Sequence, residues 1–344
     1  VVTATQAEAA TLAADLELLL GLPEDRASGA PRGTVAHFPA WDTLPLERIS
    51  PETASMGARA ELRWRLELGE APKVIVASVR ALLQRLSPSV TPPISVQRGT
   101  TIDADQLIAE LVARGYRREH QVEHRGEFAV RGGIIDVFGV TLDAPVRLDL
   151  VTEEVERLST FDVADQRSSA ELDEAWLFPA REFLPSHEER ERARELAGRL
   201  PWAAPGLQRI AEGELFDGME GHLGMLCPEG ALLVDALEAS SMIVLTEPRR
   251  LRDRALELHE EERALVEALV ATWSEGSVDA QVAGELHAPF DRLLEVTAAP
   301  LVAMPALAES PDAEQLATRS IPQLVGNPEA LAALCGELTA KGAE

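Results

Sequence analysis

The stretch from Gly126 to Arg157, GEFAVRGGIIDVFGVTLDAPVRLDLVTEEVER, admits little besides three or four short strands joined by tight turns. Phe128 and Val130 fall on one face of the first strand, Ala129 and Arg131 on the other. Ile134, Ile135, Val137 and Phe138 make a second apolar run. In the third strand Val146, Leu148 and Leu150 alternate with Arg147, Asp149 and Val151. A period of two is the mark of a half-buried strand. Burying Val146, Leu148 and Leu150 leaves a face that carries charge plus one exposed apolar side chain. Protein-binding surfaces use that mixture.

The flanks have a different character. VVTAT reads as a strand, and Gln6 to Leu20 as a helix with Ala9, Leu12, Leu16 and Leu19 or Leu20 on its inner side. A Pro/Gly loop and a strand from Thr34 to Phe38 follow, an α/β pattern. A chain that opens on a strand of such a pattern is expected to be part of a longer protein. Ser50 suits an N-cap and Pro51 the first helical position, ahead of Met56, Arg59, Leu62 and Leu66 at helical spacing. KVIVAS is a further strand, and Arg80 to Leu86 a short helix. A Pro/Thr-rich crossing over 91–101 and a helix from Ala104 to Arg114 lead into the central strands. Beyond them, Ser186-His187-Glu188-Glu189 is a capping box. MIVLTEP then reads as a buried strand, and Pro248 opens a long helix to Trp273 with Leu251, Ala255, Leu258, Leu265, Leu269 and Trp273 inside. These shifts divide the chain into 1–90, an inserted mostly β domain at 91–179, 180–300, a Pro/Ala/Ser-rich linker at 301–327, and the start of a further domain at 328–344.

Two cysteines, Cys227 and Cys335, are too few for a disulfide framework or a four-cysteine metal site, which suits a reducing cytoplasm. No apolar run is long enough to span a bilayer. The net charge of −26 opposes broad binding to phosphate backbones. Lys73 and Lys341 are the only lysines, and neither sits in a GxxxxGK[ST] loop. Nucleotide-hydrolysing folds end an apolar strand with an acid that holds Mg²⁺. Here Thr246 stands at that position, followed by Glu247, which beside Pro248 also suits a helix N-terminus. His120 and His124 fit exposed loop positions better than a metal site, and His259 with Glu260, Glu261 and Glu262 fits a solvated helix face. No catalytic residue is indicated. Arg131 and Arg147 admit two roles: contact with a partner, or pairing with Asp136, Asp149 or Glu127 that only stabilises the sheet.

GEFAVRGGIIDVF and PVRLDLVTEEVERLSTFDVADQRS closely resemble the bacterial transcription-repair coupling factors, the Mfd family. So do FPAWDTLPLERISPETASMGARAELRWRLELG and KVIVASVRALLQRLSP; the likeness covers roughly 35–185, with 186–300 looser. KVIVAS and RGEFAVRG also resemble the damage-verifying protein UvrB. The resemblance implies an α/β fold: a degenerate RecA-like, UvrB-like domain with an inserted small α+β, mostly β domain. It implies a non-catalytic module that recruits UvrA to stalled RNA polymerase for nucleotide excision repair. ATP and Mg²⁺ would serve only motor domains outside this chain, and RNA polymerase and DNA would be met by other domains too. In the family two arginines and an aromatic carry the UvrA contact. They map onto Arg131 and Arg147, while the aromatic falls on Val151, a departure from the pattern. The alternative is a fragment of an active UvrB-type DNA-dependent ATPase or helicase.

Overall fold

A computed structural model describes residues 1–20, 27–31, 33–273, 284–295 and 299–306, with isolated positions between 314 and 340. Residues 1–304 form one compact unit and 305–344 a second.

The first unit holds a five-stranded parallel sheet. Its strands are β1 (Val2–Thr3), β2 (Val35–Phe38), β3 (Val74–Ser78), β12 (Ile243–Thr246) and β13 (Leu301–Met304), in the order β13-β12-β1-β3-β2. Helices cover both faces, as a parallel sheet requires. Helix α1 (Gln6–Leu20) lays Ala9 and Ala13 against Val35 and Val76. The opposite face packs Phe38, Ala77 and Leu245 against α2 (Thr53–Glu67), α3 (Val79–Leu83) and α8 (Pro248–Trp273), through Leu62, Leu82, Leu251 and Ala255.

Between α3 and α5 (His187–Arg199) lies the β-rich insert. It comprises β4 (Ile94–Gln97), α4 (Ala104–Ala113), β5 (Arg117–Arg118), β6 (Glu127–Arg131), β7 (Ile134–Val137), β8 (Val146–Val151), β9 (Glu154–Phe161), β10 (Ser168–Glu171) and β11 (Glu174–Leu177). Strands β5 to β10 make one sheet in chain order, and β4 with β11 a separate ribbon. Phe128, Ile135, Val137, Val146, Leu148 and Leu158 bury the inner face against Leu107 and Leu111 of α4 and Val96 and Leu177 of the ribbon. Helices α5, α6 (Ala204–Glu212) and α7 (Leu223–Leu226) pack over a further core that includes Leu207, Ile210 and Phe183. A short α9 (Asp291–Glu295) precedes β13.

The insert is joined to the α/β part by buried charge. Glu182 accepts from Arg59 Nε at 2.5 Å, Trp41 Nε1 at 2.8 Å and Arg63 Nη1 at 3.3 Å. A second junction centres on Glu220, which pairs with Arg181 at 2.6 Å and accepts from Ser50 Oγ at 2.6 Å.

Several expectations change. Ser50 does not cap α2: the helix starts at Thr53, and Ser50 Oγ also accepts from Arg181 and Gly218 N, a tertiary role that outcompetes the local one. Helix α3 ends at Leu83, not Leu86, because Leu86 N donates to Ala231 O. Leu19 and Leu20 are exposed; α1 places the small Ala9 and Ala13 on the sheet instead. The crossing at 91–101 contains β4, paired with β11. The start of the 301–327 linker is strand β13, which extends the parallel sheet by pairing with β12; most of 305–344 lies outside the described residues. Glu262 is buried rather than solvated, bonding His287 Nδ1 at 2.9 Å and Leu286 N. The Trp273 side chain and Cys335 lie outside the described residues.

Candidate functional site

The outer face of the insert sheet is built by three adjacent strands. Arg131 ends β6 at a two-residue turn, Gly132–Gly133, in which Gly132 takes φ 61°. Glycine populates that left-handed region without a side-chain penalty. In β7, Asp136 lies opposite Ala129 of β6 on one side and opposite Arg147 of β8 on the other. Period-two alternation puts Ala129, Arg131, Asp136, Arg147, Asp149 and Val151 on one face. Arg131 and Arg147 do not lie on paired strands; β7 runs between β6 and β8 and supplies the group that joins them.

That group is the Asp136 carboxylate. Its Oδ1 accepts from Arg147 Nε at 2.7 Å, and its Oδ2 from Arg147 Nη2 at 2.9 Å and from Arg131 Nη2. Arg147 also donates from Nη1 to Gln166 O at 3.0 Å, and its guanidinium lies 4.6 Å from the Phe161 ring centroid. Hydrogen bonding to Asp136 raises the Arg147 pKa above its ordinary value, so the charge is secure. The Asp136 side chain is 0% exposed, Arg147 14% and Arg131 45%. The pairing role is thus present: both arginines bond Asp136, while the Arg131 side chain stays nearly half exposed.

Part of this face is covered. Ala129 and Phe138 pack with Val122 and Phe161 in a small separate core. The open part runs from Arg131 past Ile134 and Asp149 to Val151, which is 54% exposed. A shallow cavity of about 540 Å³ lies there, lined in part by Gly133, Ile134, Asp149, Leu150, Val151 and Arg157. Val151 precedes a two-residue turn in which Thr152 and Glu153 take φ 47° and 71°. Two successive non-glycine residues at positive φ are unusual, and a β-branched one is strained there. The sequence offered Asp149 only as a pairing candidate for the arginines, and it did not mark Ile134 or Arg157 as part of this face, because alternation within one strand does not give the register of its neighbours.

The other predicted position lies on the parallel sheet. Thr246 Oγ1 donates to Val2 O at 2.7 Å, so the side chain stitches β12 to β1. Glu247 takes φ 49°; its N bonds Met304 O and its O accepts from Leu251 N, which makes it the residue that starts α8, with Pro248 next. At the β1–α1 corner Thr5 and Glu8 cap each other, Thr5 N to Glu8 Oε2 at 3.1 Å and Glu8 N to Thr5 Oγ1 at 3.3 Å. Arg250 pairs with Glu8 at 2.6 Å. Gln6 Oε1 accepts from Ala40 N and Ser78 Oγ. Among the described residues no group of His, Cys, Asp and Glu is arranged to hold a metal ion, and no helix is long and apolar enough to cross a membrane.

Residues 94–183 match the family model of the UvrB interaction domain. The chain is 38% identical over 310 residues to a transcription-repair-coupling factor of Mycobacterium tuberculosis, which covers 85% of this chain and 24% of that protein. This chain belongs to the transcription-repair-coupling factor family. The factor of Bacillus subtilis is 29% identical over 272 residues, 73% of this chain and 22% of its own length. That of Escherichia coli is 32% identical over 152 residues, 43% and 13%. The chain thus spans about a quarter of the length of the mycobacterial coupling factors it matches. The matched domain contains the whole arginine-bearing face, from Arg131 to Val151, and both junction residues Arg181 and Glu182.

Proposed function

We propose that this chain is a non-catalytic, UvrB-like module of a transcription-repair coupling factor and that it recruits UvrA through the face of Arg131, Arg147 and Val151. One observation carries the reading: a buried carboxylate gathers two arginines from different strands onto one face, beside an exposed apolar side chain, inside the stretch that matches the UvrB interaction domain. Arginine and apolar neighbours are what binding hot spots are made of. A guanidinium recognises a partner carboxylate by charge-assisted, often paired, hydrogen bonds. In the whole protein, RNA polymerase and DNA would be engaged by domains outside this chain, in a bacterial cytoplasm.

The parallel sheet is, on this reading, a RecA-like domain that has lost nucleotide binding. Open α/β sheets take ligands at the carboxyl ends of their strands, with phosphate on a helix N-terminus. At that end of β1 the Glu8 carboxylate already occupies the start of α1, and an incoming phosphate would meet its negative charge. Thr246 turns its hydroxyl to the neighbouring strand rather than toward a metal. ATP and Mg²⁺ would act only in motor domains elsewhere in the protein.

Titrating UvrA onto the immobilised chain, without nucleotide, tests the recruitment. Saturable binding that is lost on adding free chain as competitor is expected. No binding at micromolar UvrA would sink the reading. Nucleotide titration separates the alternative: saturable ATP binding with Mg²⁺-dependent phosphate release would favour a fragment of an active ATPase.

A further inference from the structure

We propose that Asp136 is a positioning residue of the partner contact: it does not touch the partner, but fixes the two guanidiniums that do. This rests on the UvrA-recruitment reading and adds a residue and a mechanism to it. The Asp136 side chain is 0% exposed, so no partner group reaches it. It stands on the middle strand of three, opposite Ala129 and opposite Arg147. Ala129 carries only a methyl group, which leaves room for Arg131, two residues along the same face, to lean across. Both carboxylate oxygens are then used, one by Arg147 alone and one by both arginines. Gln166 O and the Phe161 ring hold Arg147 from two further sides. Arg147 is fixed on several edges, and Arg131 is tethered at one nitrogen.

An arginine that is free in solution loses side-chain freedom when a partner captures it, and one held beforehand loses less. A carboxylate buried alone would be unfavourable; two guanidiniums make its burial tolerable. The same carboxylate also cancels one of the two positive charges. Asp136 therefore weakens attraction at a distance while fixing geometry at contact, and these two effects respond oppositely to its removal. Asp136→Asn keeps the side-chain size and adds one net positive charge to the face. If charge alone mattered, association with an acidic partner surface would speed up and binding would tighten. If position matters, dissociation accelerates.

The experiment is UvrA binding kinetics on the full chain, comparing wild type with Asp136→Asn, Arg147→Lys and Arg131→Ala. Asp136→Asn is expected to dissociate about ten-fold faster, with association no slower. Arg147→Lys keeps the charge but loses the planar fork, and should likewise dissociate faster. Wild-type or slower dissociation of a folded Asp136→Asn overturns the proposal. Should that variant lose its cooperative thermal transition, Arg147→Lys decides, and its dissociating like wild type overturns the proposal instead. Arg131→Ala keeps the two readings apart. If it binds UvrA normally, the recruitment face itself is wrong. If it loses binding while Asp136→Asn and Arg147→Lys dissociate as wild type does, only the positioning role fails.

Discussion

Two clusters in this chain share one design, an acid with two arginines and an aromatic ring, and differ in where they sit. Glu182 gathers Arg59 and Arg63 at the joint between the insert and α2, with Arg59 also 4.2 Å from the Phe38 ring centroid. Asp136 gathers Arg131 and Arg147 on the outer face of the insert sheet, with Phe161 against Arg147. Both acids are sealed, at 2% and 0% exposure. The arginines of the first cluster are sealed as well, at 0% and 8%, whereas those of the second reach 14% and 45%. A fully buried ion pair contributes little net stability over an apolar replacement, but losing one partner leaves a stranded charge. Such a cluster holds the joint in one arrangement. An open cluster keeps hydrogen-bond donors free for another molecule. The same chemistry thus serves architecture in one place and, in the proposed reading, recognition in the other.

The comparison breaks first at the joint. Arg59→Met should destabilise the chain by about 3–5 kcal/mol, because it leaves the buried Glu182 without its closest partner. A denaturant midpoint unchanged from wild type would show that the joint is not held by this pair. Arg147→Ala comes next and should affect both properties. It removes two of the three hydrogen bonds on a buried carboxylate, so unfolding free energy should fall by roughly 2 kcal/mol. UvrA affinity should fall too, measured at a temperature where the variant stays folded. A pure binding loss, with no change in stability, would mean that Asp136 finds water or Arg131 sufficient. Smaller again is the turn after Val151. Thr152→Asn should stabilise by about 1 kcal/mol, since Asn tolerates positive φ better than a β-branched residue. Destabilisation would argue that Thr152 has a role beyond its backbone. The smallest effect is expected at Val151→Phe, which restores the family aromatic and should tighten UvrA binding by a few-fold at most, roughly 1 kcal/mol. Weaker binding than wild type would place Val151 outside the contact.

How much of this was legible beforehand depended on the distance along the chain. The faces within β6 and within β8 follow from alternation over a few residues, so Arg131 was set opposite Phe128, and Arg147 with Val151 opposite Val146 and Leu148, each strand by itself. The strand between them was legible as an apolar run, but its role as a bridge was not, because parity does not give strand order. Asp136 appeared only as one of three possible partners. The Glu182 cluster was invisible, as its members lie 119 to 141 residues apart in sequence. Glu262 was hidden by its charged neighbours: a run of glutamates reads as solvated, yet one member turns inward to His287. Strand β13 was lost because four residues beside a proline carry no period of their own. Ser50 was misassigned because a side chain suited to a local cap found stronger partners far away, in Arg181 and Glu220.

The most direct test of the central claim is the UvrA affinity of Arg131→Ala, read together with its thermal midpoint. Arg131 is the half-exposed member of the open cluster, so truncation leaves Asp136 still paired twice by Arg147. The account predicts a loss of about 2 kcal/mol in binding, near thirty-fold. It also predicts a midpoint close to wild type, as for other half-exposed ion pairs. Wild-type affinity in a folded Arg131→Ala chain would contradict it.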